Sequence, residues 1–344
     1  MSPTISSLVV TPAVVAHRGA CGLFPEHTLE AYRAAIRMGV DDIELDLVCT
    51  RDGVLVARHD VELSATTDVA RRPEFARRWK VRRLDGEWQR GWFVDDFTLA
   101  ELGTLRARER FPRLRRRSAG HDGLLGLASL DDVLALVAAE SARSGRSVGV
   151  MLELKHPTYF AKRGLDLVSP LLETLGRHGL DHPRSRVTVM GFETTVLRRI
   201  AERSRVAITQ LLTPEGAPYD LLVAGESTTF LDLASPDGLA RIDEYADGIG
   251  VHRELVLDDD GTATSLVADA HRSWLTVHVW TLRRENRFLP PRWRQPGLYG
   301  DLAGYADAFL AAGVDGLIVD HPKPVLLAGG RPLDPAEAER PVQA

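Results

Sequence analysis

The chain has 344 residues, 44% of them hydrophobic and 26% charged, with a formal net charge of −5, a profile that gives an ordinary globular protein room for a large core. That balance offers no global attraction to nucleic acid or to anionic lipid, so any anion binding has to be local. No apolar stretch approaches the about 20 residues needed to span a bilayer, and the two cysteines, Cys21 and Cys49, are too few for a disulfide framework and read as small packed residues. The N-terminus has neither a basic region nor a sustained apolar run of the secretory kind, which sets a cytoplasmic expectation with a processed exported form as its alternative.

Apolar and β-branched runs predict strands at residues 13–18, 41–48, 148–154, 186–192, 206–212, 247–251, 275–281 and 314–319. Segments of helical period separate most of them, at residues 28–38, 130–140, 165–176, 194–204 and 305–312. Alternating strand and helix argues for parallel strands joined by crossovers, and eight such units argue for a closed (β/α)8 TIM barrel as one domain. A doubly wound open sheet is the alternative.

The alternation breaks after the second strand. A strand at residues 54–59 turns back through Arg51-Asp52-Gly53, and a polar, Arg-rich insertion follows over residues 62–128. Trp79, Trp88, Trp92 and Phe93 are expected to form a small core of the insertion's own, and the arginines of 113–117 to lie in a solvated loop. The tail at 329–344, rich in Pro, Glu and Ala, is expected to be frayed or disordered.

Chemistry concentrates at the strand ends. His17 and Arg18 end the first strand, Glu44 and Asp46 sit two apart on the second, His59 ends the returning strand, and Glu153 and Lys155 repeat the two-residue spacing on the third. Alternate strand residues face the same side, and barrel active sites lie at the C-terminal ends of the strands, so these side chains converge on one mouth. Three carboxylates without a thiolate form a hard oxygen site for one divalent cation, with Ca²⁺ favoured over Mg²⁺ because an all-carboxylate cluster suits its larger and more flexible shell. Arg18 and Lys155 supply charge for a phosphate, and His17 and His59 form an acid and base pair whose separate roles stay open. Trp280, in VHVWT, is a candidate to flank the alcohol moiety of a substrate, with barrel packing as the alternative.

The stretch AHRGACGLFPEHTLEAYRAAIRMGVDDIELDLVCTRDGVLVARHD resembles the N-terminal signature of the glycerophosphodiester phosphodiesterase family, and LELK, EYADGIG, VHVWTL and VDGLIVDHP resemble its later strands. In DFTLAEL and the long insertion the chain resembles the bacterial periplasmic-type branch of that family. The resemblance implies metal ligation by Glu44, Asp46 and Glu153, acid and base work by His17 and His59, and phosphate contact by Arg18 and Lys155. It implies hydrolysis of a small glycerophosphodiester to an alcohol and sn-glycerol 3-phosphate. Glu26 and Asp60 are candidate supporting residues. Departures from the family pattern are Leu45 between the two ligands, Cys21 in place of a Ser, and Val251-His252-Arg253, which is expected to sit at the mouth and shape what binds there. The other readings are a lysophospholipase D with an apolar rim on the Trp-bearing insertion, a non-catalytic phosphate-ester binding protein, and another metal-dependent barrel enzyme.

Overall fold

The computed structural model describes residues 12–258 and 260–331. Eight strands, β1 (Ala13–His17), β2 (Asp42–Cys49), β3 (Gly149–Leu154), β4 (Val187–Gly191), β5 (Ala207–Leu212), β6 (Gly248–His252), β7 (Thr276–Leu282) and β8 (Gly316–Val319), pair in parallel around a ring. The ring closes because β1 pairs with both β8 and β2. All eight strands read from the sequence are present and in the expected order, and the open sheet is excluded by that closure.

Each strand serves two apolar environments, as a parallel barrel strand must. On β2, Ile43, Leu45 and Leu47 are fully buried in the main core shared with the surrounding helices. The opposite set faces the lumen, where Val15, Met151, Met190, Leu211 and Ile318 pack into a separate apolar cluster. Two residues further along these strands the lumen-facing positions turn polar: His17 follows Val15, Glu153 follows Met151, and Asp320 follows Ile318. The lumen plug is therefore the floor on which the polar site stands.

Helix starts follow local capping chemistry. The amide of Ala31 donates to Thr28 Oγ1 at 3.2 Å to open helix Leu29–Met38, and Gly39 closes it in the left-handed conformation. Ser129 and Asp132 form a reciprocal capping box for helix Leu130–Ser144. Short helices not anticipated from sequence occupy Pro157–Lys162, Tyr219–Ala224, Phe230–Ala234, Pro236–Asp243, Leu266–Arg272 and Pro322–Ala328.

The insertion corrects the expectation of a private aromatic core. Phe75, Leu84, Phe93, Val94 and Phe97 join the main core, while Trp79 and Trp88 are 49% and 72% exposed. Trp79 precedes and Trp88 lies in a hairpin, Lys80–Leu84 with Glu87–Gly91, whose register pairs Val81 with Arg90 and Arg83 with Trp88 on one solvent-facing side. Strand alternation, not aromatic content, decides which of these side chains go inside. At the other end, Gly329–Arg331 is held to the barrel, with Arg331 donating its amide to Leu326 O at 3.0 Å and its guanidinium to Asp41, so the expected fraying does not begin at Gly329; the rest of the tail lies outside the described residues.

Candidate active site

Register delivers the expected side chains to one place. His17 lies opposite Glu44 across the β1–β2 pair, and Asp46 lies opposite Glu153 across β2–β3. One carboxylate oxygen from each of Glu44, Asp46 and Glu153 falls within 4.8 Å of the others, and all three residues are buried. A cavity of about 290 Å³ opens above them, walled by His17, Arg18, His59, Lys155 and Trp280 and floored by the lumen residues Met190, Leu211 and Ile318.

The His-Arg-Gly turn after β1 is sterically specified. Gly19 has φ +80°, and a Cβ there would lie 2.6 to 2.9 Å from Ala31 and the Tyr32 amide, so only glycine lets the turn pack against the first helix. That turn aims the Arg18 amide at Glu44 Oε2 at 2.9 Å and its Nε at Asp46 Oδ2 at 3.0 Å, while Nη1 reaches both Glu26 oxygens at 3.3 Å. Lys155 Nζ donates to Glu153 Oε1 at 2.7 Å and stands 3.7 Å from Asp46 Oδ1.

Three acids in one buried volume cannot share charge equally. Burial, then Asp46 and Glu153, pushes Glu44 well above the usual carboxylate range despite Arg18. Burial lifts Glu153 to about 7 against the pull of Lys155. Asp46 goes the other way, because Arg18, Lys155 and His59 outweigh the effect of burial and hold it well below its ordinary value. The arrangement favours a proton on Glu44 and Glu153 over Asp46, and a cation placed among the three would oppose that proton.

The two histidines are built alike. His17 Nδ1 lies 2.6 Å from Asp320 Oδ1, and His59 Nδ1 lies 2.6 Å from Asp60 Oδ1. An Nδ1–H bonded to a carboxylate leaves Nε2 as the free acceptor. Burial, then Arg18, lowers His17 to about 4, and burial, then Arg18 and Lys155, also depresses His59. Both rings are thus neutral at pH 7 and ready to accept a proton.

The model of the glycerophosphoryl diester phosphodiesterase family matches residues 17–324. The chain belongs to that family. It is 32% identical over 327 residues to the glycerophosphodiester phosphodiesterase GDPD6 of Arabidopsis thaliana, covering 90% of this chain and 83% of that protein. It is 27% identical over 341 residues to the glycerophosphodiester phosphodiesterase of Haemophilus influenzae, covering 90% and 87%. An Oleispira antarctica phosphodiesterase, solved in complex with the product sn-glycerol-3-phosphate, shares the fold at a TM-score of 0.63 and 18% identity over 93% of this chain and 97% of its own.

In this family member seven of the eight residues singled out from the sequence line the same cavity, and the eighth, Asp46, is clustered with Glu44 and Glu153. Other residues of the network were not anticipated. Asp320 holds His17 and is itself bound by Arg283 Nε at 2.9 Å and by Arg115. Arg115 also donates to Glu285 Oε1 at 2.6 Å and is 5% exposed, which overturns its reading as part of a solvated loop; Arg113, Arg116 and Arg117 around it are exposed. His27 Nε2 reaches Asp46 Oδ2 at 2.9 Å and is backed by Tyr32 at 2.7 Å. Arg110, from the insertion, clamps Glu26 at 2.6 and 2.8 Å and Asp60 at 2.7 Å. The insertion thus supplies an arginine to each His–Asp pair.

Proposed function

We propose that this chain hydrolyses glycerophosphodiesters to an alcohol and sn-glycerol 3-phosphate, with one divalent cation at Glu44, Asp46 and Glu153. The observation that carries the reading is the meeting of two His–Asp pairs and three buried carboxylates around one cavity that also holds Arg18 and Lys155. The donor set is all oxygen and suits Ca²⁺ better than Mg²⁺, which keeps more of its own water. When bound, the cation stabilises charge that grows on a nonbridging phosphate oxygen.

Arg18 and Lys155 grip the phosphodiester and hold it in place as that charge grows. One histidine, neutral, accepts the proton of the attacking hydroxyl or water at Nε2, and the other, once it has taken up a proton at Nε2 as an imidazolium, delivers that proton to the leaving alkoxide. The two cations that depress His59 are also those that receive the phosphate. A bound anion offsets their charge, so substrate itself raises the basicity of His59 and arms it for proton transfer.

The test is release of sn-glycerol 3-phosphate from glycerophosphocholine by chelated protein, then by protein resupplied with Ca²⁺ or Mg²⁺. Release restored by metal is expected, and Glu153→Gln is expected to require more metal for the same rate. No release from folded, metal-loaded protein would overturn the assignment. The exposed Trp79, Val81 and Trp88 favour a second reading, a lysophospholipase D that meets lipid through this hairpin, which Asp85 ties to His156, the residue after Lys155, at 2.5 Å. Turnover of glycerophosphocholine with none of lysophosphatidylcholine removes that reading.

A further inference from the structure

A second cavity of about 570 Å³ adjoins the catalytic one and shares Trp280, Thr281 and Arg283 with it. Its far wall comes from the His252-Arg253 turn after β6 and from the loop of residues 287–294. A substrate phosphate held between Arg18 and Lys155 has two ester arms, and this is the adjoining space for one of them. The reading rests on the phosphodiesterase activity proposed above.

The wall holds unsatisfied polar nitrogens, two of them donors in Arg253 and Trp280 and one, His252 Nδ1, 3.7 Å from Glu254 Oε2. His252 Nδ1, Arg253 Nε and Trp280 Nε1 are all shielded from solvent and have no hydrogen-bond partner, and buried polar atoms ordinarily find one. Arginines outnumber acids: Arg253, Arg283, Arg287 and Arg294 face the cavity against Glu254 and Asp258. Glu254 accepts from Arg253 Nη2 at 2.9 Å and Asp258 from the Thr262 amide at 2.7 Å, while Arg283 Nε donates to Asp320 at 2.9 Å and Arg294 Nε to Leu289 O at 2.8 Å, so the positive excess rests on the count of charges. Arg287 is exposed at the entrance.

Aromatic side chains also line this space, and free ring faces would favour a quaternary ammonium. Two of the rings already carry a cation on one face. Arg283 lies over Phe288 at 5.0 Å and Arg292 over Trp293 at 5.2 Å, while Trp280 meets Phe192 and His252 in edge contacts. With cations already on the rings, a cationic alcohol meets repulsion and an anionic one meets unfilled donors.

We infer that the second cavity is the site for the alcohol arm of the substrate and selects glycerophosphodiesters whose alcohol carries an anionic group, such as a further phosphodiester, over those with a quaternary ammonium. Arg253 and Arg287 are the residues that set this preference.

The test compares kcat/KM for three diesters of glycerol phosphate: bis(glycerophospho)glycerol, whose leaving alcohol bears one negative charge, glycerophosphoglycerol, whose alcohol is neutral, and glycerophosphocholine. After correction for the two equivalent diesters of the first, the order anionic, neutral, cationic is expected. The span from first to last should be roughly tenfold at low salt and shrink as salt is raised. R253Q and R287Q should each narrow that span, mainly through KM for the anionic diester; R287Q alters an exposed side chain and keeps the test open should R253Q fold poorly. Equal kcat/KM for all three diesters, or a span unchanged in folded variants, would overturn the inference while leaving the phosphodiesterase assignment intact. Hydrolysis of none of them by metal-loaded protein would remove both.

Discussion

The two His–Asp pairs do the same local job with opposite architecture. His17 and Asp320 come from the first and last barrel strands' ends, 303 residues apart, and both are almost wholly buried, with Asp320 also braced by Arg115 and Arg283. His59 and Asp60 are neighbours in sequence on the returning strand's loop, with side chains 34% and 24% exposed. The first pair joins the ends of the two strands that meet where the barrel closes, and its acid is shared with two buried or half-buried arginines. The second is held by one inserted arginine, so it can adjust to substrate at little cost.

The largest effect is expected where the pairs are alike. His17→Ala and His59→Ala should each lower kcat by at least about 100-fold if they share acid and base work, with the fold retained by circular dichroism. A loss of less than about 10-fold for either would remove that ring from proton transfer. The double variant should fall well short of the product of the single losses, because residues that act as a unit are not additive.

Where the pairs differ, stability separates them. Asp320→Asn leaves Arg115 and Arg283 without their shared carboxylate in a buried setting, and should cost about 3 to 5 kcal/mol in urea unfolding. A cost under about 1 kcal/mol would show that Glu285 alone satisfies Arg115. Acid should act through the same pair. His17 is lowered to about 4 in the folded protein, against about 6.5 in an unfolded chain. Between those values the unfolded state binds more protons, so stability falls as pH drops from about 6.5 toward 4 and is unaffected by this group above that window. From pH 7 to pH 5 the wild type should lose about 2 kcal/mol more than His17→Gln does; parallel losses would place the acid sensitivity elsewhere.

The barrel and the acid cluster were legible because both rest on local period. Alternate residues on short apolar runs gave the eight strands, and the two-residue spacing of Glu44 with Asp46, and of Glu153 with Lys155, put them on the lumen side. The same rule reaches Asp320, two residues beyond Ile318 in LIVD, but a lone strand-end acid has no partner visible in sequence until the barrel closes and brings it to His17. Arg115 and Arg110 were illegible for another reason. They lie in an irregular insertion without a period, where an arginine bound to a buried acid and one in water have the same sequence neighbourhood. The helices between β5 and β6 were missed because each run is short and is interrupted by Gly225, Ser235 or Pro236, although Thr229 and Asp232 carry a capping box.

The smallest change separates orientation from structure most cleanly. Asp60→Asn removes the charge that fixes the His59 tautomer, yet Arg110 keeps both oxygens of Glu26, and Asp60 is only partly buried. Unfolding free energy should therefore move by less than about 1 kcal/mol, while kcat falls and KM stays near its wild-type value, since the phosphate contacts of Arg18 and Lys155 are untouched. The pH profile should change as well: Asp60 helps hold the His59 proton, so its loss lowers the basicity of the ring further and moves the acidic limb of kcat to lower pH. Reduced kcat with an unmoved acidic limb would mean that Asp60 orients the ring without tuning it. Reduced stability of the size expected for Asp320→Asn would mean that the outer pair, too, is part of the frame.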